Sequence, residues 1–356
     1  MGDTPLAWAA KYGHDEVVKL LLSRADIDPD KPGKEGKTPL ILAAYNGREG
    51  IVKMLLGRDD VDPNGEDESG RTPLIYAAWF GYERVVKVLL DRFDIDPDKP
   101  HDMDTTPLIL AAMEGHEEVV KMLLGRDDIN PDNSNNEGDT PLGCSARGGH
   151  VGVVEMLLRR NEVNPDKPDN YGRTPLWRAA FTGSAGVVKM LLERDDVNPD
   201  RPDNIGQTPL LRAAHYGSVG VVKMLLERDE VNPDKPDNQG NTPLSWAAVN
   251  ECIPVVEMLL GRNDVNPNKP NNDGRTPLSR AASCGCRQIV EMLLKRDDIN
   301  PNKPDYMGQT PLSWAASFGH AGVVEVLLGR KDVNPDNQDM YGRTALSYAV
   351  GGGMRE

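Results

Sequence analysis

The chain has 356 residues, with 56 acidic against 41 basic side chains and a formal net charge of −15, which disfavours nucleic acid or an anionic membrane as partner. No stretch approaches the roughly 18 consecutive apolar residues that a membrane-spanning helix needs, and Met1-Gly2-Asp3 lacks the basic and apolar regions of a secretory leader. The four cysteines, Cys144, Cys252, Cys284 and Cys286, have no zinc-finger spacing and read as reduced thiols of an intracellular (cytoplasmic) protein. The 28 prolines and 35 glycines would suggest loops or disorder, but their placement is regular. Ten prolines sit in Thr-Pro-Leu, ten follow an Asp or Asn from Pro29 to Pro335, seven lie three residues beyond such a proline, and only Pro254 stands apart. Threonines recur every 34 residues, at Thr4, Thr38, Thr72, Thr106, Thr140, Thr174, Thr208, Thr242, Thr276, Thr310 and Thr344. The chain is therefore read as one repeat array over residues 1–356, with ten full units and a partial eleventh. A single conventional core is excluded.

One unit shows what all encode. Thr174 is a suitable N-cap, and Pro175 fits the first helical turn, where a missing N–H is not needed. Leu176, Ala179 and Ala180 give a short helix a narrow apolar stripe, and Gly183 stands where a left-handed residue would end it. A second helix carries Val187, Val188, Met190, Leu191 and Leu192 on one broad face, with Arg194 in its last turn. Val197-Asn198-Pro199 opens an extended, hairpin-like loop, and Asn204-Ile205-Gly206 turns back to the next threonine. Such a unit cannot bury its apolar face alone, and stacked neighbours can. The unit starting at Thr140 departs from the pattern, with Gly143, Cys144, Ser145, Gly148 and Gly149 in and after its first helix, and is expected to be the softest. In the unit at Thr242, Glu251 replaces the helix-ending glycine.

The Thr-Pro-Leu-x-x-Ala-Ala motif, the Gly turn into Val-Val, and Leu-Leu followed by Val-Asn together make the chain resemble the ankyrin-repeat family over essentially its whole length. The resemblance implies an all-α solenoid of helix-turn-helix units with projecting hairpin-like loops. It also implies a concave face, built from the first helices and the loop tips, that binds protein. Two departures stand out. The family's histidine after Thr-Pro-Leu is absent, replaced for example by Ile41, Ile75, Trp177 and Ser245, which puts its bonds between repeats in doubt. Its Gly-Ala-Asp after helix two gives way to Arg-Asp-Asp, as in Arg58-Asp59-Asp60. The Pro-Asp-Lys-Pro-Asp-Asn style of the loops is similar to ankyrin arrays of fungal NACHT-type proteins.

Variation between units concentrates four, seven and eight residues after the threonine, positions that share one helical face. There stand Trp8, Tyr45, Tyr76, Trp79, Phe80, Arg147, Arg178, Phe181, Arg212, His215, Tyr216, Trp246, Arg280, Trp314 and Phe318, and Trp177 joins them from the third position. Tyr, Trp and Arg are the usual anchors of protein interfaces, so these are the candidate partner-binding residues. The bland alternative is that they shield the alanine stripe or pack between neighbouring first helices. The cluster Trp177, Arg178, Phe181, Arg212, His215 and Tyr216 suggests an acidic or phosphorylated peptide, unless aspartates of the loops neutralise its arginines.

Other motifs lead to structure. Asp26-Ile27-Asp28-Pro29-Asp30 imitates the start of a calcium loop but lacks its sixth-position glycine, and reads as turn capping. His14, His116, His150 and His320 share one slot before helix two, which favours a helix-start hydrogen-bonding role over metal binding. No nucleophile has a base at recognisable spacing, and no phosphate loop, cofactor motif or metal motif occurs, so no enzymatic activity, cofactor or metal is expected. The function expected is a non-enzymatic interaction scaffold, the recognition segment of a larger intracellular protein. A rival reading is a spacer that self-associates end to end, because Thr4 opens an ordinary unit and Gly353-Met354-Arg355-Glu356 stops where a second helix should start, as in an excerpt of a longer array.

Overall fold

The computed structural model describes residues 2–352, so Met1 and Gly353–Glu356, including the expected break before a last second helix, lie outside the described residues. The chain divides into two compact units, Met1–Pro175 and Leu176–Glu356, each described by itself. In the first, the leading helices of successive repeats are Pro5–Tyr12, Pro39–Tyr45, Pro73–Trp79, Pro107–Glu114 and Pro141–Gly148. Their partners are Asp15–Leu22, Glu49–Leu56, Glu83–Leu90, Glu117–Leu124 and Val151–Leu158, with one short 3-10 turn at Lys34–Gly36. In the second, leading helices Pro175–Thr182, Pro209–His215, Pro243–Val249, Pro277–Cys284, Pro311–Ser317 and Ala345–Gly352 alternate with Ala185–Leu192, Val219–Leu226, Ile253–Leu260, Arg287–Leu293 and Ala321–Leu328. The described residues form no strand; the fold is an all-α solenoid of paired helices.

The local chemistry follows the repeat. Thr38 Oγ1 accepts the Ile41 N–H at 3.2 Å, Thr140 the Gly143 N–H at 3.0 Å and Thr208 the Leu211 N–H at 3.1 Å, each satisfying a donor that the helix itself cannot. Gly183 sits at φ +73°, the left-handed conformation its position calls for, and Glu251 is forced to φ +55° in the same slot. The core is the Leu-Ala-Ala stripe of the first helix against Val-Val and Leu-Leu of the second. Leu176, Ala179, Ala180, Val187, Val188 and Leu191 are all fully buried, while Met190 is only partly covered. Burial depends on the neighbour: Val17 is 47 % exposed in the first repeat, whereas Ile51 and Val85 in the same slot are 0 % and 1 % exposed.

Bonds between repeats run through the loops and helix ends in place of the missing histidine. Loop tips donate a backbone N–H to the tip before them, Glu68 to Glu35 O at 3.0 Å and Asn170 to Glu137 O at 2.9 Å in the first unit, Asn238 to Ile205 O at 3.0 Å and Tyr306 to Asp273 O at 3.0 Å in the second. Arg58 Nη1 reaches Leu22 O at 3.0 Å while its Nε and Nη2 hold Asp60; Arg262 does the same with Leu226 O and Asp264. Lys235 Nζ donates to Asp200 O at 2.7 Å. The helix-start histidines work differently from the expectation. His116 Nε2 bonds Trp79 O at 3.0 Å and His150 Nε2 bonds Met113 O at 2.9 Å, so each ties off the first helix of the preceding repeat and leaves its own helix uncapped. The calcium-like loops are turn caps: Asp28 Oδ1 accepts the Asp30 N–H at 3.0 Å.

In the repeat at Thr140, Gly143 lies within a regular helix and Gly148 closes it. A side chain at Gly148 would collide with the His150 ring, its Cβ falling 2.3 Å from Nε2. Gly143, in the middle of the helix, costs about 1 kcal/mol against alanine. Amide hydrogen exchange is therefore expected to be faster over residues 140–150 than over 208–218; equal protection would show that packing overrides the glycines.

Candidate protein-interaction face

The variable positions of the first helices separate into two kinds once their surroundings are known. Where the fourth residue after the threonine is Tyr or Trp and an aspartate stands nine residues earlier, the side chain donates into its own loop, to that carboxylate. Tyr76 Oη donates to Asp67 Oδ2 at 2.6 Å in the first unit; in the second, Trp246 Nε1 donates to Asp237 Oδ2 at 2.9 Å, Trp314 Nε1 to Asp305 Oδ2 at 2.9 Å and Tyr348 Oη to Asp339 Oδ2 at 2.6 Å. The other carboxylate oxygen closes the loop turn, as Asp237 Oδ1 does by accepting the N–H of Gln239 and of Asn241, both at 2.9 Å. Burial, then the Asp67 carboxylate, raises the Tyr76 hydroxyl above its ordinary value, and the same causes push Tyr348 up to about 12. Where this aspartate is missing, the partner is usually not a polar aromatic: Leu42 follows Gly33, Leu110 follows His101 and Cys144 follows Asn135.

At the seventh and eighth residues the side chains are mostly open. In the first unit Tyr45 packs edge-on against Tyr76 and Phe80, with centroids 5.1 and 5.3 Å away, and Trp79 stacks on Phe80 at 5.5 Å. Two cations cover this cluster, Lys37 Nζ 5.1 Å above Tyr45 and Arg71 5.5 Å above Trp79. Tyr45 and Phe80 remain 38 % and 39 % exposed. Trp8, 53 % exposed, packs against Tyr12 at 4.6 Å, and Arg147 is exposed.

In the second unit, Trp177 stacks on Phe181 at 5.6 Å, and Phe181 meets Tyr216 edge-on at 4.9 Å. The Arg212 guanidinium lies 5.0, 5.0 and 5.2 Å from the rings of Trp177, Phe181 and Tyr216, and Arg212 Nη1 donates to Gln207 Oε1 at 2.9 Å. His215 sits between Tyr216 and Trp246, 4.6 Å from each, and Arg280 lies 4.9 Å above Trp246. Burial, then the charges of Arg212 and Arg280, hold the His215 imidazole below its ordinary value, so it is neutral at pH 7. Phe318, 57 % exposed, stacks on Trp314 at 5.9 Å.

Four of the expected residues are buried: Tyr76, Trp177, Arg178 and Trp314. Arg178 is 3 % exposed, and Trp177 turns its Nε1 inward to Gln207 O at 2.9 Å. The aromatic and arginine bias therefore has two sources, one internal to each repeat and one facing outward. Residues not singled out from the sequence complete the face: Lys37, Arg71 and Arg275 as cations over rings, and Asp67, Asp237 and Asp305 as acceptors. Their signal was present as the nine-residue spacing from Asp to Tyr or Trp.

Among the described residues, no helix is long and apolar enough to cross a membrane, and no group of three or more His, Cys, Asp or Glu side chains is arranged to hold a metal ion. The family model for ankyrin repeats (3 copies) matches residues 1–67, 59–135, 108–203, 195–271, 231–305, 263–339 and 297–356. Comparison with curated proteins gives no match. Solved structures that match include the crystal structure of the human ASB11 ankyrin repeat domain, at 27 % identity and a TM-score of 0.56, over 64 % of this chain and 98 % of that one.

Proposed function

The chain belongs to the ankyrin-repeat family, whose modules generally bind other proteins, and from that premise we propose a non-enzymatic scaffold that holds a partner protein or peptide on the face of its first helices and loop tips. The observation that supports this reading is the set of aromatic side chains left open after each repeat has satisfied its own hydrogen bonds: Tyr45 and Phe80 in the first unit, Tyr216 and Phe318 in the second, 38–57 % exposed. Full burial of such a ring is worth about 1.5–3 kcal/mol, and a partner covering the exposed part would recover roughly half of it. The polar aromatics at the fourth position, by contrast, are explained by their aspartates. The cytoplasm is the proposed compartment, in keeping with four free thiols, Cys144, Cys252, Cys284 and Cys286.

The test uses the open residues, because truncating buried Trp177 or Arg178 would confound binding with folding. The full chain carrying Tyr45→Ala with Phe80→Ala, or Tyr216→Ala with Phe318→Ala, serves as bait beside the wild type. At least one pair is expected to lower capture of the partner about tenfold or more, as hot-spot losses of about 2 kcal/mol require, with an unchanged circular-dichroism melt. Unchanged capture by both pairs overturns the reading.

A further inference from the structure

Arg280 breaks the rule that governs its position. Tyr76, Trp246, Trp314 and Tyr348 each donate to an aspartate nine residues earlier, and Arg178 and Arg212, the other arginines in that position, follow Asp169 and Asp203 by the same nine. Nine residues before Arg280 stands Asn271. Asn271 Oδ1 still closes the loop turn, accepting the N–H of Asp273 at 3.0 Å and of Arg275 at 2.9 Å. Its other atom is now an amide nitrogen, which donates to Asn241 Oδ1 at 3.1 Å. A guanidinium has only donors, so it cannot pair with that nitrogen. Arg280 turns instead to the preceding repeat, where Nη1 also takes Asn241 Oδ1.

The result is a partly buried cation without a carboxylate at ion-pair distance among the described residues. Cys284, Asp237 and Asp273 attract it only through space, and Asp237 is occupied by Trp246. Burial pushes the Arg280 guanidinium below its ordinary value, and the nearby Arg275 charge adds to this. Arg275 lies 3.7 Å above Trp314 and 3.9 Å from Asp305, and its Nε is buried without a hydrogen-bond partner. A single neutral amide oxygen satisfies one of the five donors of Arg280, and Trp246 covers one face of its plane.

We propose that Arg280, beside Trp246 and across from Asn271, receives an oxyanion from an acidic peptide segment of the partner, which completes from outside the pairing that Asn271 denies from inside. This rests on the interaction-face reading and adds the partner's chemistry to it. The shared chemistry is a planar or tetrahedral oxyanion, either a glutamate or aspartate carboxylate or a phosphoserine phosphate, both of which match the guanidinium fork. The formal charge of −15 repels such a segment at long range, so the contact selects by local fit and gains little from steering.

Fluorescence anisotropy on the full chain tests this with three labelled decapeptides of alternating residues: Glu-Gly, phosphoserine-Gly and Gln-Gly. The wild type is expected to bind one or both acidic peptides and to ignore the glutamine peptide. Asn271→Asp supplies the internal carboxylate and should lower that affinity about tenfold, while raising the urea midpoint, which shows that the fold survives. Arg280→Gln should lower it similarly, and Arg84→Gln, on the second-helix side of a repeat in the other unit and 86 % exposed at its side chain, should leave it unchanged. A glutamate preference identifies the carboxylate as the source, a phosphoserine preference the phosphate, and either supports the assignment. The proposal is overturned if the wild type binds neither acidic peptide, or if Asn271→Asp binds as the wild type does. If it fails in either way while the Tyr216 and Phe318 variants still lose the protein partner, the interaction face stands and only its acidic ligand is wrong.

Discussion

Gly115→Ala is expected to destabilise the protein by about 3 kcal/mol, the sum of two separate penalties. Gly115 ends the first helix of its repeat at φ +77°, and a side chain in the left-handed region costs about 1–2 kcal/mol. The added Cβ would also lie 2.4 Å from Nδ1 of His150, and overpacking of that kind costs about 1–3 kcal/mol. His150 cannot simply step aside, because its Nε2 holds Met113 O at 2.9 Å; if it does, that bond is lost. Urea unfolding followed by circular dichroism should show the shift in midpoint. The reverse experiment separates the two penalties. Glu251 occupies the equivalent position at φ +55°, and the residue facing it from the next repeat is Cys286, a smaller group than a histidine ring. Burial, then Glu251, pushes the Cys286 thiol up to about 12. Glu251→Gly removes the backbone strain without adding a clash, at the loss of the Glu251 contact with Cys286, and should stabilise by about 1 kcal/mol. An unchanged midpoint would mean that the Glu251 contact with Cys286 offsets the strain.

Asp237→Ala is expected to cost about 3–5 kcal/mol, because it strands three donors together. Asp237 is 6 % exposed and accepts the N–H groups of Gln239 and Asn241 and the indole N–H of Trp246; each buried donor left unpaired costs about 1–3 kcal/mol, with some recovered through water. Asp237→Asn should cost less, since Asn271 shows that an asparagine closes the same turn. It replaces the acceptor of Trp246 with a donor, so the signature to seek is altered Trp246 fluorescence with the fold retained. If Asp237→Ala unfolds at the wild-type midpoint, the loop carboxylates do not hold the loops to the first helices.

The same construction sets a pH dependence at Asp339. Burial alone would raise its carboxyl, but hydrogen bonds from Tyr348, from the backbone of Arg343 and Tyr341, and from the Arg343 guanidinium outweigh it and hold the group below the usual carboxylate range. A carboxyl depressed in the folded state contributes stability above its unfolded value, and that contribution is lost as pH falls towards the folded one.

The 34-residue period of the threonines, read with helix caps and the glycine turn, was sufficient for the helices, their order and the family, because each of those features is a local backbone preference repeated along the chain. Met190 shows the limit of the apolar pattern: periodicity assigned it to the core, and the structure leaves it partly covered. The interaction face was legible only as a bias toward aromatic and arginine residues at three positions. Whether such a ring points outward or into its own loop depends on an acceptor nine residues away, and so Tyr76 and Trp314 turn inward while Tyr45 and Phe318 stay open.

The sequence by itself determined the repeat and its paired helices, since stacking of similar units needs only short-range rules and one neighbour. Tertiary structure alone decided which bonds replace the family's histidine, namely loop-tip amides, arginine to a helix-end carbonyl, and His116 and His150 to the preceding repeat. It also decided that Arg178 is covered and that Arg280 has no carboxylate at ion-pair distance among the described residues. The physical reason is that polar satisfaction is a property of atoms brought together in space, and one substitution, Asn271 for aspartate, changes a donor's partner without disturbing the helices on either side.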